Sequence, residues 1–322
     1  MGYRIESSSV IAKDAFIVCP SCHSSLDFGD RCAVCQNCRM VYPVNEYGYL
    51  VLTPNSEREC SAELPPNSGD YVEAQHFNGK RLLDVFLNPL IAKIGPTNSL
   101  DVGCGSGELV KLLRTSGVRC YGIDVFSNSK NWAMTGADPN SLFCADATSL
   151  PFGNDSFDFV MSLGVIEHIG TLNGHCTLKK TYIEERRRYA KELVRVTKPG
   201  GTILIAAPNK RFPIDVQHGP TDELSPKAPI RSFLFQKTGL NIHKTWGDYH
   251  LPSYGEVRSL FLDHAGAKKW EAFPLAGYFG FGRFKLGFLR PFASFAEAYI
   301  RHLPSPFLKT FLNPYLLVVI TK

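Results

Sequence analysis

Long apolar stretches are absent from this chain of 322 residues: nowhere do eighteen apolar residues run uninterrupted by charge, which excludes a conventional membrane-spanning helix. The opening Met1-Gly2-Tyr3-Arg4-Ile5-Glu6-Ser7 also lacks the apolar core of a secretory signal, so the protein is expected in the cytoplasm. No low-complexity block is long enough to read as disordered, and 44% hydrophobic with 20% charged residues describes an ordinary folded chain. Strong charge imbalance is missing too. A net charge of +5 permits an anionic partner such as nucleic acid or a lipid surface without requiring one. What remains is enough chain for one large α/β core and a small extra module.

Cysteine, by contrast, is plentiful and clustered. Five of the ten cysteines fall between Cys19 and Cys38, which in a reducing compartment favours metal over disulfides. Cys19-Pro20-Ser21-Cys22 and Cys35-Gln36-Asn37-Cys38 make C-x2-C-x12-C-x2-C, two turns that each point a pair of sulfurs to one side. Cys19, Cys22, Cys35 and Cys38 are therefore the expected ligands of a structural Zn2+, with Cys32 a spare thiol or an alternative partner of Cys35. Four thiolates leave no open position, so the metal's expected task is to fold a segment too short to bury its own core.

The most informative run is Asn98-Ser99-Leu100-Asp101-Val102-Gly103-Cys104-Gly105-Ser106-Gly107-Glu108-Leu109, an apolar strand entering a glycine turn and then an amphipathic helix. Glycines at 103, 105 and 107 allow a tight turn and close approach of backbone to a ligand at a helix N-terminus. Cys120-Tyr121-Gly122-Ile123-Asp124 reads as a second strand ending in a carboxylate suited to ribose hydroxyls. A third strand, 141–144, runs into Ala145-Asp146-Ala147, placing a second acid at a neighbouring strand end. Phe157 to Ser162 reads as a fourth strand leading into Leu163-Gly164-Val165-Ile166-Glu167-His168-Ile169. Lys198-Pro199-Gly200-Gly201 then turns into a fifth strand through Ile205. A nicotinamide-binding domain shares only the first glycine turn and first acid.

These ordered signals, over about residues 97 to 210, resemble the class I S-adenosylmethionine-dependent methyltransferases, in particular the ubiquinone and menaquinone methylase group. The resemblance implies a doubly wound, Rossmann-like α/β sheet, mostly parallel with its last strand antiparallel, behind a small N-terminal zinc ribbon. It implies that Gly103, Gly105 and Gly107 pack under the methionine part of the cofactor and that Asp101 orders the loop. Asp124 would hold the ribose, Asp146 and Ala147 would meet the adenine, and Leu163 would lie near the sulfonium. Residues 16 to 54 are similar to the ribbon modules of the activator subunit of certain tRNA methyltransferases and of ribosomal RNA guanine methyltransferases. In the latter the last ligand is usually histidine, whereas Cys38 stands here.

The expected organisation is a ribbon over 1–54, a linker and lid helix over 55–96, and a methyltransferase domain over 97–322 with an aromatic-rich insertion at about 273–313. Apolar positions Leu82, Leu83, Val85, Phe86, Leu90 and Ile91 suit a helix packed on the domain, and Tyr71 and His76 are candidates to touch ligand or merely to pack. A helical stretch between Ile169 and Leu193 carries Lys179, Lys180, Arg186, Arg187 and Arg188, read as a solvated face. Ala207 to His218 leaves the carboxyl edge of the sheet and should face the acceptor, with Trp246, Tyr249 and His250 completing its pocket. From Phe273 to Phe311, Tyr278, Phe279, Phe281, Phe284, Phe288, Phe292, Phe295 and Tyr299 alternate with Arg283, Lys285, Arg290 and Arg301. That pattern suits either peripheral membrane contact or plain packing before a last strand, Tyr315 to Thr321.

A sulfonium methyl is already activated, so the protein's part is to align an acceptor and exclude water. His168 and His218 follow the fourth and fifth strands and are the candidate catalytic bases, each with a structural alternative. No spacing marks a catalytic metal. The favoured acceptor is a small molecule or a lipid- or glycan-linked group. The alternatives are rRNA or tRNA, with nucleic acid the less favoured partner, and a non-catalytic zinc-ribbon interaction protein.

Overall fold

The computed structural model describes residues 16–53, 68–172, 176–215, 217–220, 228–275 and 290–322. Its N-terminal part holds β1 (Leu26–Phe28), β2 (Cys32–Cys35) and β3 (Val41–Pro43), an antiparallel three-stranded sheet of order β1-β2-β3, followed by β4 (Val51–Leu52). Helix α1 (Ser68–Leu82) continues through a π turn at Leu83–Leu87 into α2 (Asn88–Ile94). Pro89 has no N–H to offer the carbonyl of Val85, which is where a regular helix must loosen.

The main body alternates β5 (Ser99–Val102), α3 (Glu108–Thr115), β6 (Cys120–Asp124), α4 (Ser129–Thr135), β7 (Leu142–Ala145), β8 (Phe157–Leu163), α5 (Tyr182–Val196) and β9 (Thr197–Pro208). A small pair, β10 (Ile214–Asp215) with β11 (Asn241–Ile242), brackets α6 (Ala228–Thr238). The chain closes with α7 (Tyr254–Arg258), β12 (Lys269–Ala272), α8 (Arg290–Arg301) and β13 (Tyr315–Thr321). Eight strands form one sheet of order β12-β13-β9-β8-β5-β6-β7-β4. Pairings from β9 across to β4 are parallel, and β13 runs antiparallel between β9 and β12. The sheet is thus the doubly wound α/β arrangement expected, closed by an antiparallel final strand.

Both faces of the sheet are covered, which is why β5 and β7 are buried at every position. One face packs Leu100, Val102, Ile123, Val160, Ile203 and Ile205 against α5 and α7. The other packs Phe159, Met161, Leu204 and Ala206 against Leu83, Leu87, Val110 and Trp132. Phe157 and Phe159 sit on opposite faces although two residues apart, because the β8–β9 register shifts between them.

The segment with Cys19 to Cys38, expected to be too short to bury a core of its own, shares that of the main sheet. Ile17, Leu26, Ala33 and Tyr42 join the cluster on one face of the main sheet, Ile17 bridges to Phe152, and the Phe16 ring lies 5.1 Å from Tyr121 and 5.7 Å from Phe157. Strand β4 lies within the expected ribbon segment yet extends the main sheet, Val51 and Leu52 pairing in parallel with Cys144 and Ala145. Helix α5 begins only at Tyr182, because Gly170 turns with φ +75° and Thr171 bridges Leu178. Arg186, assigned to a solvated face, is 4% exposed, and it donates to the carbonyl of Ile169 at 3.2 Å and to that of His250. Of the aromatic tail, Tyr278, Phe279, Phe281, Phe284 and Phe288 lie outside the described residues, while Phe295 is exposed on α8.

Phe152 is fully buried where the cysteine module meets the sheet, its ring 5.0 Å from that of Phe157. Phe152→Ala should lower unfolding stability by about 3–5 kcal/mol in urea titrations. A loss below about 1 kcal/mol would contradict a shared core.

Candidate active site

The sheet order reverses at β5, whose neighbours are β6 on one side and β8 on the other. Connections leave that point in opposite directions, opening a crevice outside the carboxyl ends of β5 and β8. The glycine turn lines it. Gly103, Gly105 and Gly107 have φ of +83°, +55° and +76°, which side chains with a Cβ rarely adopt. A Cβ on Gly103 would lie 2.2 Å from Val165 Cγ2, and one on Gly105 would lie 2.7 Å from the Tyr71 hydroxyl. Helix α1 therefore rests on the turn from above. From beside it, the Trp132 indole donates to the Gly105 carbonyl at 2.7 Å.

Asp124 ends β6 and grips the same turn. Its carboxylate accepts from the Gly105 N–H at 2.6 Å, the Val125 N–H at 2.7 Å and Asn128 Nδ2 at 2.9 Å. Burial raises its pKa, and these hydrogen bonds offset part of that rise. Asp101 sits behind it, 3% exposed and pushed up to about 8, first by burial and then by the charge of Asp124. Asp146 follows β7 and accepts from the Thr148 N–H at 2.8 Å and its hydroxyl at 2.6 Å, shaping a turn with Ala147 half-buried. Ser149, next along, donates to the Pro20 carbonyl at 2.8 Å. Leu163 ends β8 half-buried. His76 turns instead to Glu108, with Nδ1 2.8 Å from the carboxylate at the start of α3.

The crevice's other wall is rich in imidazole. The rings of His168 and His218 are 5.2 Å apart, and those of His218 and His250 are 5.1 Å apart. His218 Nδ1 lies 2.8 Å from Asp215 Oδ2. Burial disfavours a charged His218, but the hydrogen bond and charge of Asp215, aided by Glu167, leave its pKa raised. Asp215 is correspondingly lowered despite its burial. Burial drives His250 down to about 3 and Glu167 up to about 7. Tyr249 packs 4.6 Å from His250 and stacks on His243 at 4.8 Å, whereas Trp246 is 69% exposed. The sequence reading named His168 and His218 but passed over Asp215 and the burial of Glu167. The Asp215-x-x-His218 spacing was the available signal for the first.

At the other end of the chain the sulfurs of Cys19, Cys22, Cys35 and Cys38 all lie within 4.8 Å of one another, and Cys32 stands outside the cluster. A Tyr42 hydroxyl lies 3.1 Å from Cys19 Sγ.

A reversing α/β sheet with a glycine turn and acids at successive strand ends defines a doubly wound domain built to hold a nucleoside-containing ligand. Residues 100–205 match the family described as methyltransferase domain. Norajmaline N-methyltransferase of Rauvolfia serpentina is 28% identical over 117 residues, 34% of this chain and 35% of that one. The tRNA (carboxymethyluridine(34)-5-O)-methyltransferase of Arabidopsis thaliana is 30% identical over 139 residues, 41% of this chain and 30% of its own. The matching stretch thus spans about a third of the length of these relatives. Among solved structures, the PH0226 protein of Pyrococcus horikoshii OT3 aligns with a TM-score of 0.46 at 17% identity, covering 84% of this chain and 99% of that one.

A carboxyl held protonated by burial becomes a liability as pH rises. Asp101 titrates at about 4 when unfolded and at about 8 when folded, so folding stability falls across that interval. Asp101→Asn should flatten this decline in urea midpoints measured at several pH values. An unchanged slope would show that Asp101 is not held in that state.

Proposed function

We propose that the chain transfers a methyl group from S-adenosylmethionine to a small-molecule or lipid- or glycan-linked acceptor. The positive-φ glycine turn at the carboxyl end of β5, closed over by Val165 and Tyr71, suits that cofactor. Bound there, it would supply an electrophilic methyl. Gly103, Gly105 and Gly107 would pack under its methionine portion with Asp101 ordering the turn, Asp124 would hold the ribose, Asp146 and Ala147 the adenine, and Leu163 would flank the sulfonium. Asp124 would have to exchange its grip on the turn for the ribose hydroxyls.

The observation that carries the acceptor reading is the enclosed imidazole wall, in which His168 and His218 are the groups that would address the acceptor atom. His250 behind them is fully buried, a setting for a compact group and not for a duplex. Apolar surface nearby in the chain supports an apolar tail on the acceptor: Ile230 and Phe233 on α6, Trp246, Phe295 and Phe311 are all exposed. A cavity of about 400 Å3 is lined by Val85, Phe86, Pro274, Leu275 and Arg301. No described helix is long and apolar enough to cross a membrane. The lipid contact in this reading is a peripheral one through the segment 273–311. We assign Zn2+ to the four clustered thiols, whose donor set suits it.

Incubation with methyl-labelled cofactor and separate fractions of RNA, lipid, glycan, small metabolites and protein should label the small-molecule, lipid or glycan fraction. Label in RNA alone would favour the nucleic-acid reading, and none in any fraction would favour a non-catalytic role. Asp124→Ala should abolish cofactor binding in calorimetry, and undiminished affinity would overturn the ribose assignment. Elemental analysis should find one equivalent of zinc fewer per chain in Cys35→Ser than in the parent; equal zinc content would refute the four-thiolate site.

A further inference from the structure

We propose that Glu167, His168 and His218 form a binding site for a divalent transition cation at the acceptor side of the crevice. One potential ligand atom from each of the three lies within 4.8 Å of the other two. Two imidazoles and one carboxylate are the donor set that suits manganese, iron(II), cobalt or zinc, and three protein ligands on one side leave positions open on the other.

The state of Glu167 is the strongest reason. It is completely buried, and neither carboxylate oxygen meets a hydrogen-bond donor among the described residues. Arg186, the nearby guanidinium, donates from Nε to the Ile169 carbonyl and from Nη2 to that of His250, and acts on Glu167 through its charge alone. A carboxylate enclosed without donors is expensive, and a cation is the partner that removes the cost without further donors. Among the described residues both nitrogens of the fully buried His250 are also without hydrogen-bond partners, so unsatisfied polar atoms lie on both sides of His218.

His218 is prepared for the role. Asp215 engages its Nδ1 at 2.8 Å, which fixes the ring and leaves Nε2 for a metal, the carboxylate–histidine pairing that orients imidazole ligands. Asp215 is itself held by the N–H groups of Gln217 at 2.8 Å and His218 at 3.3 Å, so it belongs to the turn as an outer support. Gly164, with φ +72°, brings the backbone close enough that a Cβ there would stand 3.7 Å from Glu167 Oε1.

This inference deepens the methyl-transfer reading and rests on it for its consequence: the acceptor atom is a hydroxyl oxygen. A hydroxyl ligating the cation would lose its proton to solvent as its oxygen bonds the methyl carbon, while the carbon–sulfur bond breaks and its electron pair stays on sulfur. A cation lowers the hydroxyl's pKa, so neither histidine has to take the proton.

The test is titration of the full zinc-containing chain with Mn2+, followed by the electron paramagnetic resonance of free Mn2+; thiolates at the Cys site select against this ion. One Mn2+ should bind per chain, with affinity reduced at least tenfold in Glu167→Gln and in His218→Ala. Electron spin echo modulation of the native complex should show coupling to imidazole nitrogen, a readout that needs no variant. Absence of binding, unchanged affinity in both variants, or a spectrum without nitrogen coupling would overturn the site. S-adenosylhomocysteine binding, measured separately by calorimetry, should survive in both variants. Mn2+ binding to a chain that never binds S-adenosylhomocysteine would uphold the cation site while removing the methyl-transfer reading.

Discussion

The parallel pairing of β5 with β6 on one side and β8 on the other is the constraint on which this molecule turns. Because successive crossovers leave β5 in opposite directions, no connection passes over its carboxyl end, and the groups ending β5, β6, β7 and β8 surround one opening. Burial on both faces fixes the register of these strands. A slip of one residue would exchange Leu100 and Val102 for Asp101 against the core, so hydrophobic packing also sets the positions of Asp101, Asp124 and the glycine turn.

That frame concentrates unfavourable charge where the ligand belongs. Burial raises both Asp101 and Asp124, the charge of Asp124 raises Asp101 further, and Glu167 adds a third enclosed carboxyl on the opposite wall. Such groups are kept at a cost in stability, and the compensation comes from the cores on either side of the sheet. The cysteine module contributes to one of these, and through Ser149 and Pro20 it touches the loop that carries Asp146. It is part of the frame, whatever else it does.

Legibility in the sequence followed how local each cause was. Gly103 to Gly107, Asp124 at its strand end and the antiparallel strand at 315–321 are written in neighbouring residues, and the structure has them where the pattern put them. The Cys spacing likewise brought four sulfurs together. What escaped depends on contacts between distant segments. Arg186 looked like one charge in a basic run, and only folding places it between Ile169 and His250. Residues 51–52 carry no sign that they will lie beside 144–145. His168, His218 and His250 are separated by long stretches, so their convergence was invisible until β8, β9 and the loop before α7 met.

Strand β4 has one further effect. It lies against β7, which would otherwise bound the sheet on that side, and covers the main-chain donors and acceptors of Cys144 and Ala145. A chain trimmed to begin after residue 53 would present them to solvent on a strand whose side chains are wholly apolar, an open template for another molecule's backbone. Such a fragment would be prone to self-association, so a shortened version that precipitates would reveal the loss of a two-residue guard, and not a failure of the main sheet to fold.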